Sequence, residues 1–179
     1  MSQPIQSPSS APHSTDAKSA PVLLVIYGGG GHRTEMQLLL DYLVKANSKT
    51  PVPLISIGPS KLDCCVVAHY QMTDVRDKHS RFKSLFLMLP SVLNQLITTV
   101  KILRAHKVSG VISTGPGLCV IPMVIMRLFG VNTVFVETYC RFNSRSFTGR
   151  VMSKLAHRFL VQNKQQLALY PGAEYCGRV

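Results

Sequence analysis

The chain is poor in acidic residues and has no tryptophan. Its 179 residues include 8 Asp and Glu against 20 Lys and Arg, which gives a formal net charge of +12 at pH 7. Such a surplus favours an anionic partner: nucleic acid, anionic lipid headgroups or a phosphorylated substrate. The sequence carries no zinc-finger, helix-turn-helix or aromatic-platform signature, so we do not expect a nucleic-acid partner.

Cysteine pairs and long apolar runs are missing as well. The five cysteines include no C-x-x-C pair, which argues against a disulfide framework and against a zinc site. We therefore predict no metal ion and no cofactor. No apolar run reaches the ~18 residues of a transmembrane helix, and the start of the chain has no signal-peptide core. We expect the protein to stay on the cytosolic side of any membrane that it contacts.

What the chain does contain is a polar start followed by one domain of alternating segments. Residues 1–20 are rich in Ser, Pro and Ala, and we predict that they form a disordered tail. Over 21–179, strand-like runs alternate with helix-like segments, the strands at 22–27, 53–57, 108–113, 131–136 and 158–162. This alternation predicts an α/β fold in which helices cover both faces of a Rossmann-like parallel sheet.

The most informative stretch is 22–33, VLLVIYGGGGHR, where an apolar run ends in four glycines followed by His32 and Arg33. A strand, a glycine loop and a helix N-terminus form an anion site, because backbone N–H groups and the helix dipole point to the same place. The stretch lacks the small residue and later acid of a dinucleotide site and the Gly-Lys-Ser/Thr of a P-loop. It predicts a site for a diphosphate or sugar phosphate; a loop that needs glycine only for tight turning is the alternative.

Glu137 is the second candidate site residue. It directly follows an apolar strand-like run, where a carboxylate is costly unless it is paired or used. Ligands of parallel sheets bind outside the carboxyl ends of the strands, and the segments 28–33, 114–117 and 137–141 all fall at such ends. Glu137 is therefore predicted to bind or activate a sugar hydroxyl; a salt bridge to Arg141 or a helix N-cap is the alternative.

The stretch 81–107 has basic residues at both ends and a long apolar middle that Pro90 interrupts. One interpretation is a pair of core helices with a proline kink. The other is an interfacial element whose apolar side chains enter lipid while its basic side chains meet lipid phosphates. The membrane contacts predicted by the second interpretation are Leu85, Phe86, Lys101, Arg104 and Lys107.

Four motifs together carry a family resemblance over 22–179: GGGGHRTEM, STGPGLCVIP, VETYCR and LVQN…YPGAEYCGRV. The chain resembles the membrane-recruiting subunit of the eukaryotic UDP-N-acetylglucosamine transferase that adds the second sugar to N-acetylglucosaminyl-diphosphodolichol in N-glycan precursor synthesis. The resemblance implies half of a GT-B glycosyltransferase, similar to the amino-terminal, acceptor-binding domain of the bacterial lipid-linked transferase of peptidoglycan synthesis.

The resemblance also implies partners and a location. The UDP-N-acetylglucosamine-binding half is expected on a separate catalytic subunit, and the other partners are the dolichol-linked diphosphate acceptor and membrane lipids. The transferase of the preceding step is a further candidate partner. The family commonly begins with a transmembrane anchor, whereas this chain begins with a polar tail, so we expect peripheral attachment to the cytosolic face of the endoplasmic reticulum membrane.

Site roles follow from the same resemblance. His32 and Glu137 are the candidates for the base that an inverting transfer needs, and Tyr175, Gly177, Arg178 and Val179 would contact the catalytic subunit. The diphosphate and the acceptor would be bound by Gly29, Gly30, Gly31, Arg33, Gly115, Gly117 and Arg141. Enzyme activity is then expected of the two-chain complex; a non-catalytic membrane scaffold for the partner is the alternative.

Overall fold

The structure, a computed structural model, describes residues 20–46, 52–64, 66–72 and 83–178, and within these the side chains of all but 83–88. The predicted disordered tail, apart from Ala20, lies outside the described residues. Val179 lies outside them as well, and so do the side chains of the predicted membrane contacts Leu85 and Phe86.

Within the described ranges seven strands form the sheet: β1 (Pro21–Ile26), β2 (Leu54–Gly58), β3 (Val66–Gln71), β4 (Lys107–Ser113), β5 (Asn132–Val136), β6 (Arg158–Val161) and β7 (Glu174–Tyr175). Their order is β3-β2-β1-β4-β5-β6-β7, and every neighbouring pair is parallel. Five of these strands match predicted ones within a few residues. The two strands that the sequence did not predict, β3 and β7, lie at the edges of the sheet.

Helices cover both faces of this sheet, as predicted. They are α1 (Gly31–Ala46), α2 (Lys83–Ala105), α3 (Val120–Leu128), α4 (Phe147–Leu155) and α5 (Gln165–Leu169), with a 3-10 turn at Gly117–Cys119. Side chains alternate between the two faces of a strand, so Val25 packs with Met36 of α1 on one face. On the other face Leu24 belongs to a core with Ile102 of α2 and Met123 of α3.

Helix α2 corrects the prediction of a helix pair broken at a proline. It runs unbroken from Lys83 to Ala105 with Pro90 inside it. A proline removes one backbone hydrogen bond, and the helix beyond it is anchored by buried Thr99 and Ile102. Lys107, predicted to belong to the lipid-contacting element, is instead the first residue of β4.

The strand order reverses between β1 and β4, and the loops after these two strands meet at the carboxyl edge. A Cβ atom on Gly28 would lie 2.2 Å from Cδ of Pro116, so only glycine allows the two loops to touch. The Thr114 hydroxyl donates a hydrogen bond of 3.0 Å to the carbonyl oxygen of His32. Ligands of doubly wound sheets bind at this switch point.

A search of the described helices finds none with the length and apolar character needed to cross a membrane. The apolar stretch of α2 is interrupted by polar side chains such as Gln95 and Thr99, both of which are buried. Ile102 of the same helix belongs to the core on one face of the sheet, so this part of α2 packs against the sheet.

The contact between Gly28 and Pro116 makes a testable prediction about the switch point. We expect Gly28→Ala to lower the free energy of unfolding by about 1–3 kcal/mol, because the added methyl overlaps the proline ring. Gly29→Ala is the matched control, since its Cβ would meet nothing closer than 3.9 Å. Urea unfolding of the full chain measures both, and equal stabilities would contradict the close packing.

Candidate active site

A cavity of about 580 Å³ opens at the switch point, between the loops that follow β1, β4 and β5 and the nearby part of α2. A cavity of this size can hold a small ligand. It brings together predicted residues from three separate segments of the chain: His32, Gly115, Gly117, Glu137 and Arg141. The sequence prediction that these segments share one edge of the sheet is confirmed.

His32 is the second residue of α1 and points its ring toward the loop after β4. Gly115 has φ +88°, and a Cβ atom there would lie 3.3 Å from the His32 ring, so glycine allows the two loops to approach. About a third of the His32 side chain is exposed. The neighbouring Glu35 carboxylate raises the pKa of His32 above its ordinary value, while burial opposes the rise.

Glu35 is a site residue that the sequence reasoning missed. It is buried one turn after His32 on α1, and its Oε2 lies 3.7 Å from Nδ1 of His32. Its other oxygen, Oε1, accepts hydrogen bonds from the Thr138 hydroxyl at 2.7 Å and from the Tyr139 N–H at 3.0 Å. The i, i+3 spacing from His32 within GGGGHRTEM was the available signal, because residues so spaced share one helix face.

Glu137 is buried and hydrogen-bonded by two hydroxyls. Its Oε2 accepts from the Ser146 hydroxyl and from the Tyr170 hydroxyl, both at 2.9 Å. A Cβ atom on Gly149 would lie 1.8 Å from that oxygen, so the carboxylate needs glycine there. Burial raises the pKa of Glu137, against the lowering effect of the two hydroxyls. The pKa of Tyr170 is raised to about 12, first by burial and then by the Glu137 charge.

This arrangement excludes both alternatives for Glu137. The N-cap of α4 is Ser146, whose hydroxyl accepts from the Gly149 N–H at 2.7 Å. Within the described part of the chain Glu137 has no cation within 4.0 Å. Arg141 instead donates to the Ser144 hydroxyl at 3.3 Å.

The glycine loop and Arg33 lie beside the cavity rather than in its lining. Gly29, Gly30 and Gly31 are exposed, and Gly30, with φ +59°, accepts the first N–H groups of α1. The Arg33 guanidinium turns away, donating to Asp63 Oδ2 at 3.0 Å. A role for these four residues at a diphosphate stays a prediction.

The charges around the cavity are arranged in two layers. Glu137 is buried in its wall and Glu35 is buried beside His32, whereas Arg141 is exposed at its mouth and Arg145 lies 5.8 Å from the centre of the Tyr170 ring. In the ranges that the structure describes, no group of three His, Cys, Asp or Glu could hold a metal ion. An anionic ligand would therefore meet arginine first.

The C-terminal segment, residues 175–178, lies beside loop 137–141, which follows β5. Tyr175 is in β7, and Gly177 has φ +81°. The guanidinium of Arg178 lies 4.5 Å from the centre of the Tyr139 ring, and Asn163 Nδ2 donates to the Tyr139 carbonyl at 2.7 Å. The segment predicted to contact a partner thus borders loop 137–141, while its role in binding stays a prediction.

The chain matches the model of a known protein family. The model described as "Oligosaccharide biosynthesis protein Alg14 like" matches residues 23–179. The chain belongs to this Alg14-like family. The match covers all four motifs on which the resemblance depends and confirms it.

Curated Alg14 proteins are similar along most of their length. The UDP-N-acetylglucosamine transferase subunit ALG14 of Yarrowia lipolytica is 29% identical over 175 residues, which cover 89% of this chain and 81% of the relative. The protein of the same name from Homo sapiens is 23% identical over 179 residues, covering 88% and 82%.

Solved structures show where this Alg14-like fold recurs. Acinetobacter baumannii MurG superposes with a TM-score of 0.56 at 15% identity, covering 89% of this chain and 44% of MurG. A UDP-N-acetylglucosamine 2-epimerase superposes with a TM-score of 0.59 at 11% identity, covering 82% and 43%. At such identities the likeness shows the fold alone, and the chain spans less than half of each structure. The predicted Rossmann-like fold, one half of a GT-B protein, is confirmed.

The burial of Glu137 predicts an unusual dependence of stability on pH. Because its folded pKa is raised, the unfolded chain releases this proton first, and the contribution of Glu137 to stability is lost as pH rises from the unfolded pKa through the folded pKa. Relative to Glu137→Gln, the wild-type chain should therefore lose stability over this range. Urea unfolding at several pH values measures the difference.

Glu174→Gln is the matched control with the opposite sign. Hydrogen bonding and the charge of exposed Arg158 lower the pKa of Glu174, so its contribution is present above its unfolded pKa and lost as pH falls. If the stability difference from the wild-type chain changed in the same direction with pH for Glu137→Gln and Glu174→Gln, the account of Glu137 would be contradicted.

Proposed function

We propose that this chain is the acceptor-binding subunit of a two-chain transferase that moves N-acetylglucosamine from UDP to N-acetylglucosaminyl-diphosphodolichol. The main observation that supports this proposal is the cavity at the switch point. His32 and Glu137, from different segments, line this cavity, and Arg141 lies at its mouth. Family membership supports the substrate class, since the relatives are named as subunits of a UDP-N-acetylglucosamine transferase.

The donor sugar nucleotide belongs on a second chain in this proposal. A GT-B enzyme closes two Rossmann-like halves around its substrates, and this chain corresponds to less than half of MurG. The segment 175–178 borders loop 137–141 of the cavity, so a partner bound there would bring its donor site to the same opening. The location that we propose is the cytosolic face of the endoplasmic reticulum membrane.

Binding of the acceptor's diphosphate is assigned to the cationic side of the cavity. Arg141 is exposed at the mouth, and its guanidinium can donate two hydrogen bonds to one phosphate. The N-terminus of α1 adds the positive end of a helix dipole. Gly115 and Gly117 line the cavity without side chains that would keep a phosphate away.

The reaction needs a base for the acceptor hydroxyl, and the contacts favour His32. In an inverting transfer the acceptor oxygen bonds to C1 of the donor sugar. The bond from C1 to the UDP oxygen breaks with its electron pair, and the hydroxyl proton goes to the base. His32 has a partly exposed ring whose pKa is raised by a carboxylate. Glu137 is 2% exposed, and its Oε2 already accepts two hydroxyl hydrogen bonds, so it is less accessible to an acceptor hydroxyl than the His32 ring.

Transfer by the purified two-chain complex tests this function. With UDP-N-acetylglucosamine and a synthetic N-acetylglucosaminyl-diphosphate lipid, we expect His32→Ala to lower kcat by about 10²- to 10⁴-fold, the usual contribution of general base catalysis. His106→Ala is the control, because His106 precedes β4 at the opposite edge of the sheet and bonds to Tyr70. A wild-type rate for His32→Ala together with Glu137→Ala would favour the non-catalytic scaffold instead.

Membrane lipid is the other proposed ligand, and α2 is the surface that supports it. Five apolar side chains in the described part of this helix are exposed, among them Leu89 at 68%, Leu93 at 55% and Ile97 at 44%. Lys101 and Arg104 are exposed on the same helix, which suits a bilayer with anionic headgroups. Because Val92 and Gln95 also line the cavity, a bilayer at this helix would lie close to the site of a lipid-linked acceptor.

Vesicle flotation tests the proposed membrane contact. We expect the full chain to float with vesicles that contain phosphatidylserine, and Lys101→Glu with Arg104→Glu to weaken this binding by about tenfold or more, at about 1 kcal/mol per basic residue. Val44→Glu is the control, since Val44 is exposed on α1, which covers the opposite face. Failure of the wild-type chain to float would overturn the contact.

A further inference from the structure

The buried carboxylate of Glu35 has no assigned role in the transfer reaction proposed so far. It is 1% exposed, and burying a carboxylate costs several kcal/mol unless hydrogen bonds and charges compensate for the lost water. Helix α1 could bury its apolar face without this residue. The contacts of its two oxygen atoms therefore have to explain its presence.

One oxygen of Glu35 is completely engaged in holding the loop after β5. Oε1 accepts from the Thr138 hydroxyl at 2.7 Å and from the Tyr139 N–H at 3.0 Å. These two donors come from a segment more than a hundred residues later in the chain. They fix the rotation of the carboxylate and thereby determine where its second oxygen points.

The second oxygen points at the His32 ring. Oε2 of Glu35 is buried without a hydrogen-bond partner, and so is Nδ1 of His32. The two atoms lie 3.7 Å apart, so a shift of less than about 1 Å would join them in a hydrogen bond. The other charged groups beside the ring are Glu137 and Arg141, which line the same cavity from the loop after β5.

We propose that Glu35 is the positioning residue of His32, holding a proton on Nδ1 so that Nε2 faces the cavity unprotonated. The inference rests on the proposed function, in which His32 is the base. Nε2 then takes the proton of the acceptor hydroxyl as its oxygen bonds to C1 of the donor sugar and the bond from C1 to UDP breaks. The Glu35 carboxylate stabilises the imidazolium that forms, as the acid of a carboxylate–histidine pair does.

Glu35→Gln in the two-chain complex tests this role. The amide oxygen of Gln can still accept from Thr138 and Tyr139, but its NH₂ group faces Nδ1 and favours the proton on Nε2. We expect kcat to fall by at least about 10²-fold while KM for the acceptor changes by less than about threefold, because a general base in the wrong tautomer is inactive. The acidic limb of the pH profile should move to lower pH, since the carboxylate that raises the pKa of His32 is gone.

The tautomer itself provides a second readout that does not depend on activity. The full chain is labelled with ¹⁵N-histidine, bound to its partner and observed by NMR at a pH above the titration midpoint of His32. We expect the His32 signals of the wild-type chain to report a proton on Nδ1. In Glu35→Gln we expect them to report a proton on Nε2. Asp41→Asn is the matched acid-to-amide control on α1; Asp41 is exposed and accepts from Gln37, so tautomer and pH profile should stay unchanged.

The outcomes separate this inference from the proposed function. A wild-type chain with the proton on Nε2 overturns the inference even if Glu35→Gln fails to fold. An unchanged acidic limb in a folded Glu35→Gln complex overturns it as well. A wild-type rate for His32→Ala would instead overturn the role of His32 itself, whatever the tautomer is.

Discussion

The site depends on the contact between the first turn of α1 and the loop after β4. Thr114 donates to the carbonyl of His32, and Gly115 lies against the imidazole ring. A few residues earlier Gly28 lies against Pro116. These contacts hold the two loops together at the one place where the strand order reverses, so the cavity forms beside them and the His32 ring is at its wall.

Two buried carboxylates connect the loop after β5, which also lines the cavity, to its neighbours. Glu35 binds the start of loop 137–141 to α1, and Glu137 binds the start of α4 and Tyr170. In the described part of the chain neither one pairs with a lysine or arginine within 4.0 Å. Because the donors to these acids are hydroxyls and a peptide N–H rather than a guanidinium, Arg141 at the cavity mouth stays available to an anion.

The same contacts connect the site to the end of the chain. Arg178 lies over the ring of Tyr139, and the N–H of Tyr139 is one of the two donors that orient Glu35. A partner that contacts segment 175–178 would therefore touch the turn that holds the carboxylate beside His32. In a transferase whose donor half is a separate chain, residues that contact the partner would then also help to orient the base.

Local sequence signals accounted for the central part of the fold. Strands β1, β4 and β5 are short apolar runs that precede glycine or polar loops, and such runs are buried on both faces in a parallel sheet. The parallel order also explains why segments 28–33, 114–117 and 137–141 could be assigned to one edge. The edge strands β3 and β7 escaped prediction because one mixes polar with apolar residues and the other has two exposed residues.

The sequence by itself determined the central strands of the sheet, the glycine motif and the edge at which segments 28–33, 114–117 and 137–141 meet, since these depend on neighbours along the chain. Only the tertiary structure decided which side chains face the cavity. Adjacent residues on a helix are about 100° apart, so His32 turns to the cavity while Arg33 turns to Asp63. The partners of Glu35 come from a segment more than a hundred residues later, and no local pattern indicates a contact made across that distance.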